Sequence, residues 1–228
     1  MSRTATAILT AAMGLALVAA PRPAHAQSLA VGVEGGATFS DISVGDGSVN
    51  FSNRTGYRLA GILRVGLGPI LGIETGVGLT QKGGKLPPSE SGLANDLNFD
   101  LSYVEIPALL SVTVPTGPAP VSPRFFAGPQ LGFQTTCDVA TSIQGIASSV
   151  ACDAAALGGG GIQTKSMDLG VVLGGGLDVG LGGPFALTLD GRYEFGLTDI
   201  NDATGQANPT SVKNRHFAVS GGILFRLP

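Results

Sequence analysis

The spacing of apolar residues between positions 168 and 198 limits the folds open to this chain more than any other feature of the sequence. From 169 to 181 every second residue is apolar or glycine, and mostly glycine and aspartate fill the positions between them. Across 185–197, after a Gly-Gly-Pro turn, the same spacing places apolar residues on one face and charged residues on the other. A period of two predicts β-strands. Strands of about ten residues with one apolar and one polar face fit a membrane barrel whose apolar face meets lipid.

The first 26 residues have the composition of a secretory signal peptide. Arg3 precedes an apolar segment, 8–20, and Ala24-His25-Ala26 forms a small-residue cleavage site. We therefore predict a signal peptide at 1–26 and a single barrel domain at 27–228. Removing the signal peptide takes away two arginines and no acid, which changes the formal charge from −3 to about −5. We expect no nucleic-acid partner for an exported, mildly acidic chain.

Strand-like alternation recurs eight times in the mature chain, at 29–39, 55–67, 70–81, 98–114, 124–136, 168–181, 185–197 and 216–227. Long polar connections alternate with short ones, beginning with a long one. This arrangement predicts an all-β fold, an eight-stranded antiparallel up-and-down transmembrane β-barrel with periplasmic turns and extracellular loops. A soluble eight-stranded barrel of the lipocalin type is the alternative, and it would bury the apolar face instead. We expect irregular pairing at Pro129, which cannot donate a ladder hydrogen bond.

The fourth of these segments carries a recognisable motif. The octapeptide YVEIPALL, which begins with Tyr103, Val104, Glu105, Ile106 and Pro107, resembles the Y-x-E-I-P-x-L-L signature of PorT-like, "porin family" outer-membrane barrels. Weaker matches to the same family are FAGP at 126–129, DLG at 168–170, RY at 192–193 and NR at 214–215. The resemblance covers the mature chain in strand rhythm, and it implies a small, OmpA-like eight-stranded barrel.

The same resemblance implies a cellular context for the chain. Outer-membrane lipid and the barrel-assembly machinery would be its partners, and we expect a monomer. One departure concerns the carboxyl end. Outer-membrane barrels usually finish on an aromatic residue that the assembly machinery reads, whereas this chain finishes Phe225-Arg226-Leu227-Pro228.

Charged residues occupy the face opposite the apolar one, and we expect them to form a charge network in the lumen. Charges at membrane depth persist only where they face a protein or water interior and pair there. Two interpretations remain open: a lumen plugged by ion pairs, since eight strands leave room only for side chains, or a narrow polar path for ions or small solutes. The predicted network consists of Glu34, Arg58, Arg64, Glu74, Glu105, Arg124, Asp168, Asp178, Asp190, Arg192, Glu194 and Arg226.

The two cysteines, Cys137 and Cys152, lie in the segment 137–165, which we predict to be the largest loop. An exported chain reaches an oxidising compartment, so we predict that they form a disulfide, with two free thiols as the alternative. Such a bond would close a loop of about 16 residues and stabilise it by about 3 kcal/mol on chain-entropy grounds.

Little in the sequence indicates catalysis or metal binding. His216 is the one histidine after the predicted cleavage site, and Ser211 and Ser220 lie near it in sequence. A lipid-modifying Ser-His-acid site is conceivable, but a lone histidine at a strand end is usually solvated or interfacial. One histidine and two distant cysteines also lack the spacing of a metal site. We therefore predict no enzymatic activity, no metal and no cofactor.

The leading functional hypothesis is a structural or surface-interaction barrel with a plugged lumen and long extracellular loops that suit an extracellular ligand. A narrow passive porin is the alternative. Candidates for the interfacial aromatic belts of such a barrel are Phe39, Phe51, Tyr57, Tyr103, Phe125, Phe185, Tyr193 and Phe225.

Overall fold

The computed structural model describes residues 28–44, 52–88, 97–117, 119–143, 146–152, 166–198 and 212–227. The predicted signal peptide and Phe51 lie outside these residues. The described part of the chain contains the strands β1 (Leu29–Val44), β2 (Arg54–Gly66), β3 (Leu71–Leu86), β4 (Leu97–Thr113), β5 (Val121–Ile143), β6 (Ile146–Ala151), β7 (Met167–Gly182), β8 (Phe185–Gly196) and β9 (Val212–Leu227). Within it no helix is both long enough and apolar enough to cross a membrane.

Eight of these strands close into an antiparallel barrel. Each pairs with its neighbours in the order β4-β3-β2-β1-β9-β8-β7-β5, and β4 also pairs with β5, which closes the ring. The first and last strands meet directly, since Leu29 pairs with Leu227. The predicted fold is thus confirmed.

The two ends of the barrel differ. At the turn end, the four residues 67–70 join β2 to β3, and Gly183 and Pro184 join β7 to β8. Gly182 and Gly183 have φ values of 90° and 61°, a backbone conformation that glycine adopts without a steric cost. Leu29, the first residue of β1, and Leu227, the last residue of β9, also lie at the turn end. We call the opposite end the loop end. The strands reach further beyond the barrel wall there.

Side chains alternate between the barrel wall's two faces along every barrel strand. In β8, for example, Phe185, Leu187 and Leu189 are exposed on the outside, while Thr188 and Asp190 are buried in the lumen. The exposed set is almost entirely apolar, which suits contact with lipid chains. The alternation of side chains along each strand therefore separates a lipid-facing surface from a charged interior.

Several strands extend further toward the loop end than predicted. Segments beginning at Ser40 and at Lys82 were expected to be loops, yet β1 continues to Val44 and β3 to Leu86. The reason is that their backbones pair with neighbouring strands, for example Lys82 with Leu101. These segments are polar because they lack an apolar face. A polar composition does not prevent their backbones from forming ladder hydrogen bonds with the neighbouring strands.

The predicted large loop begins instead as a strand. β5 passes through Cys137 to Ile143 and pairs with β6, so the expectation of an irregular segment from residue 137 was wrong. β7 pairs with β5 only as far as Phe133. The part of β5 nearer the loop end therefore has a free edge, which pairs with β6. The disulfide between Cys137 and Cys152, whose Cα atoms are 5.5 Å apart, ties the end of β6 to β5, and this prediction is confirmed.

The irregular pairing expected at Pro129 is present on one side of the strand. On the side of β4, pairing is described for Pro107 with Gln130 and for Leu110 with Ala127, but not for the residues between them. On the other side Pro129 pairs with Val171 in an unbroken ladder. A register shift in the same β4–β5 ladder lies nearer the loop end, between Ser102 and Tyr103.

Candidate functional site: the charged lumen

The turn-side layer of the lumen is a group of five charged residues, Arg64, Glu74, Arg124, Asp178 and Asp190. The Arg64 guanidinium lies 2.7 Å from Glu74 Oε2 and 3.0 Å from Asp178 Oδ1. The Arg124 guanidinium lies 2.8 Å from Glu74 Oε2 and 2.7 Å from Asp190 Oδ1. Both arginines thus bridge carboxylates of different strands.

The contacts of this layer cross the barrel. In the ring order, β2 stands opposite β7, and β3 stands opposite β8. The Arg64–Asp178 pair therefore joins opposite walls. Arg124 on β5 contacts both Glu74 and Asp190, which themselves lie on opposite walls. Side chains that touch from opposite walls meet at the barrel axis.

A middle layer consists of Glu34, Arg58 and Arg192. Glu34 Oε1 lies 3.1 Å from the Arg58 guanidinium and 2.9 Å from that of Arg192. The ring of Phe126 lies beneath two of the arginines, with its centroid 4.7 Å from Arg124 Cζ and 5.4 Å from Arg192 Cζ. The Phe126 ring fills the space beside Gly174, where a Cβ would collide with it. Cation–π attraction helps to offset the burial of the guanidinium groups.

The loop-side cluster is the third group, and it consists of Lys82, Glu105, Asp168, Glu194 and His216. Lys82 Nζ lies 2.6 Å from Glu194 Oε1 and 2.8 Å from Glu105 Oε1. Glu105 also connects the cluster to the middle layer, because its Oε2 lies 3.0 Å from Arg58 Nη1. Since Lys82 is on β3 and Glu194 on β8, this ion pair too joins opposite walls.

Lys82 is absent from the network predicted from the sequence, which assigned it to a loop. Its side chain is almost completely buried and lies on the inward face of β3 together with Glu74 and Thr80. The even-numbered inward positions of β3 continue to residue 82, so the signal was available in the sequence. The two glycines and two prolines within the next six residues favoured the loop assignment.

Asp168 interacts differently from the other predicted acids. Asn214 Nδ2 donates hydrogen bonds to Asp168 Oδ2, at 3.0 Å, and to Tyr103 Oη, at 3.2 Å. Tyr103 is fully buried, so its assignment to an interfacial aromatic belt was wrong. It lies two residues from Glu105 and therefore on the same inward face. Of the other motif residues, Ile106 is partly buried and Pro107 is buried, with Pro107 O accepting a hydrogen bond from Thr75 Oγ1.

Two further expectations differ from the structure. His216 is 2% exposed, and its Nδ1 lies 3.5 Å from Glu194 Oε2, so the solvated or interfacial position expected for it was wrong. β9 begins four residues earlier than predicted, which places His216 inside the strand. Arg226, predicted to belong to the lumen network, is exposed at the turn end. It lies beyond the turn-side layer, where the lumen opens to solvent.

A small vestibule of about 210 Å³ enters the barrel from the turn end. Ser111, Ser122 and Arg226 are among its lining residues, and it reaches Arg64 and Arg124 of the turn-side layer. The vestibule therefore ends where the ion pairs begin.

Comparison with known protein families identifies the family of this chain. Residues 25–202 match the family described as "Outer membrane protein beta-barrel domain", which is more than half of the sequence. The chain belongs to this family. It is accordingly an outer-membrane barrel, and its exposed apolar band lies in the lipid.

Solved structures share the fold of this outer-membrane barrel. The outer membrane protein OprG from Pseudomonas aeruginosa is 14% identical with a TM-score of 0.55, and the similarity covers 89% of this chain and 97% of OprG. A major outer membrane protein from Thermus thermophilus is 15% identical with a TM-score of 0.52, covering 89% of this chain and 100% of that one. A search of curated proteins found no match. At these identities the similarity establishes the fold alone.

Proposed function

We propose that this outer-membrane barrel is a membrane anchor with a lumen plugged by ion pairs, and that its role is structural or lies in contacts made at the cell surface. Catalysis is no part of the proposal. The single observation that carries it is the set of ion pairs between opposite walls, of which Arg64–Asp178 and Lys82–Glu194 are direct examples.

Energetics support a plug that stays closed. Each of these charges would be costly to bury alone, and the low-dielectric interior makes its partner necessary. An ion or solute entering the lumen would have to separate pairs in the turn-side layer, the middle layer and the loop-side cluster in succession. Eight strands leave an interior just wide enough for side chains, so there is little space for a path around these pairs.

The loop end supports the surface part of the proposal. β5 and β6 form a hairpin beyond the barrel wall, and the Cys137–Cys152 bond holds it in place. We assign the loop end to the extracellular side, since short turns face the periplasm in such barrels. A braced extracellular sheet of this kind suits recognition of an extracellular ligand. Cleavage of residues 1–26, insertion by the barrel-assembly machinery and a monomeric state also belong to this proposal.

Single-channel recording in planar bilayers tests the plug. We expect the wild-type protein to be silent. Arg192→Ala and Glu105→Gln each remove a lumen partner and should produce at most irregular leakage. Leu59→Ala is the matched control, because Leu59 is 57% exposed on the lipid face and has no part in the network.

Steady, ion-selective steps in the wild type would refute the plug and favour the alternative of a narrow passive pore. In that case the same lumen variants should change conductance or selectivity, while Leu59→Ala should not. A cation preference would be expected, because seven carboxylates face five lysine and arginine side chains among the described lumen residues.

The orientation is tested separately on intact cells. An epitope inserted at residues 144–145, between β5 and β6, should bind antibody without permeabilisation. An epitope inserted at 183–184, between β7 and β8, should require permeabilised cells. The reverse result would contradict the assignment of the hairpin to the cell surface.

A further inference from the structure

The charges of the lumen are not evenly balanced along the barrel axis. In the turn-side and middle layers, Glu34, Glu74, Asp178 and Asp190 face four arginines, so these layers are neutral together. The loop-side cluster sets three carboxylates, Glu105, Asp168 and Glu194, against Lys82, and Arg58 of the middle layer also contacts Glu105. The excess of two carboxyl groups over lysine and arginine side chains in the lumen therefore falls in this buried cluster.

We propose that the loop-side cluster binds one divalent cation of the zinc class, held by Glu194 Oε2 and His216 Nδ1, with Glu105 as a further ligand. One ligand atom from each of these three residues lies within 4.8 Å of the others, and all three residues are buried. A single divalent cation would neutralise the cluster at the place where the charge balance fails.

The separation of the two principal ligand atoms fits this cation. Glu194 Oε2 and His216 Nδ1 are 3.5 Å apart. Two ligands about 2.1 Å from a tetrahedral zinc ion are about 3.4 Å apart. Imidazole nitrogen together with carboxylate oxygen is a ligand set that zinc accepts, whereas Mg²⁺ and Ca²⁺ favour oxygen ligands.

The hydrogen bonding of His216 is an observation separate from the charge balance. His216 is 2% exposed and its Nδ1 makes no hydrogen bond, although it is directed at Glu194. Buried polar atoms in proteins nearly always have partners, so an unpartnered imidazole nitrogen beside two buried carboxylates fits a cation bound between them.

Lys82 is compatible with this cation. Its ammonium group contacts Oε1 of Glu194 and Oε1 of Glu105, which leaves Oε2 of Glu194 facing His216. Gln130 Nε2 also donates to Glu194 Oε2, and a rotation of that amide would present its Oε1, a buried atom without a partner, to the cation. The lysine therefore holds both carboxylates through their Oε1 atoms, and Glu105 would join the cation by giving up a present contact of its Oε2 with Arg58 or Thr80.

Calorimetric titration of untagged protein, purified from outer membranes in detergent and stripped with a chelator, tests the proposal. We expect saturable binding of one Zn²⁺ per barrel. Glu194→Gln and His216→Ala should each weaken the affinity at least about tenfold, as for the loss of a ligand or its support. Asp168→Asn is the matched control, since it removes the same charge from the cluster without removing a proposed ligand, and it should weaken the affinity less.

Equal weakening by Asp168→Asn and Glu194→Gln, or equal affinity for Mg²⁺ and Zn²⁺, would overturn coordination in favour of general charge attraction. An absence of saturable Zn²⁺ binding would overturn the site itself. Should the variants fail to fold, the visible absorption spectrum of the Co²⁺-loaded wild type decides the matter. A spectrum with bands of four- or five-coordinate cobalt supports ligation, and the spectrum of hexa-aqua cobalt contradicts it.

Discussion

Arg64 and Asp178 form an ion pair, with Arg64 Nη1 3.0 Å from Asp178 Oδ1, although their strands β2 and β7 stand on opposite sides of the barrel. They are separated by 114 positions in the sequence. A contact of this kind forms only when the ring of strands has closed. The ion pairs of the lumen are therefore a consequence of the closed barrel, and they brace it from within.

Breaking this pair on one side should destabilise the barrel. In Arg64→Met, Asp178 loses its closest cation, because Arg124 Nε is 3.8 Å away. We expect a loss of about 3 kcal/mol in the free energy of unfolding, since a buried charge is left without its partner. Urea unfolding in lipid vesicles, followed by tyrosine fluorescence or gel mobility, measures it. The double variant Arg64→Met/Asp178→Leu should recover part of the loss, and a double variant less stable than the single one would contradict this account.

Lys82 should resist chemical modification in the folded barrel. Its side chain is 1% exposed and is held between Glu105 and Glu194, so an amine-reactive reagent cannot reach it. Lys213 is partly exposed near the loop end and serves as the internal control. Peptide mass spectrometry should find Lys213 modified and Lys82 unmodified in folded protein, with both modified after unfolding. Modification of both at similar rates in the folded state would show that the loop-side cluster is open to solvent.

Loss of the disulfide should affect the hairpin and leave the barrel intact. Cys137 lies on the part of β5 that extends beyond the β5–β7 pairing toward the loop end, and Cys152 follows β6 directly. Cys152→Ser paired with Cys137→Ser removes about 3 kcal/mol of loop ordering on chain-entropy grounds. Limited proteolysis should then cut near residues 144–151, while the urea midpoint of the barrel should remain unchanged. A large shift of that midpoint would mean that the hairpin and barrel unfold together.

Two glycines provide a matched test of the barrel wall. A Cβ at Gly36 would collide with the backbone oxygen of Val219, whereas a Cβ at Gly61 would meet nothing within 4 Å. Gly36→Ala should therefore cost about 1–3 kcal/mol in unfolding free energy. Gly61→Ala should be neutral or stabilising by up to about 1 kcal/mol. Thermal unfolding of both variants side by side checks the difference, and equal losses would show that the wall is not closely packed at Gly36.

How much of the molecule the sequence predicts depends on the feature. The period-two spacing in β7 and β8 predicted both the strands and the face that each residue occupies, so Asp190 and Arg192 were assigned inward from the sequence. Strand ends were predicted less well. Lys82 and His216 lie where the lipid-facing residues give way to polar ones, and without an apolar face the periodic signal fades even though the backbone ladder continues.

The sequence by itself determined the fold class, the facing of most side chains and the disulfide, because alternation and cysteine number are local properties that survive without three-dimensional information. Only the tertiary structure decided which charges meet. One partner of Lys82, Glu194, lies 112 positions away on the opposite wall. Such pairings depend on the register and closure of the whole barrel. For the same reason only the structure placed His216 beside Glu194, where a histidine that is isolated in sequence gains neighbours able to share a cation.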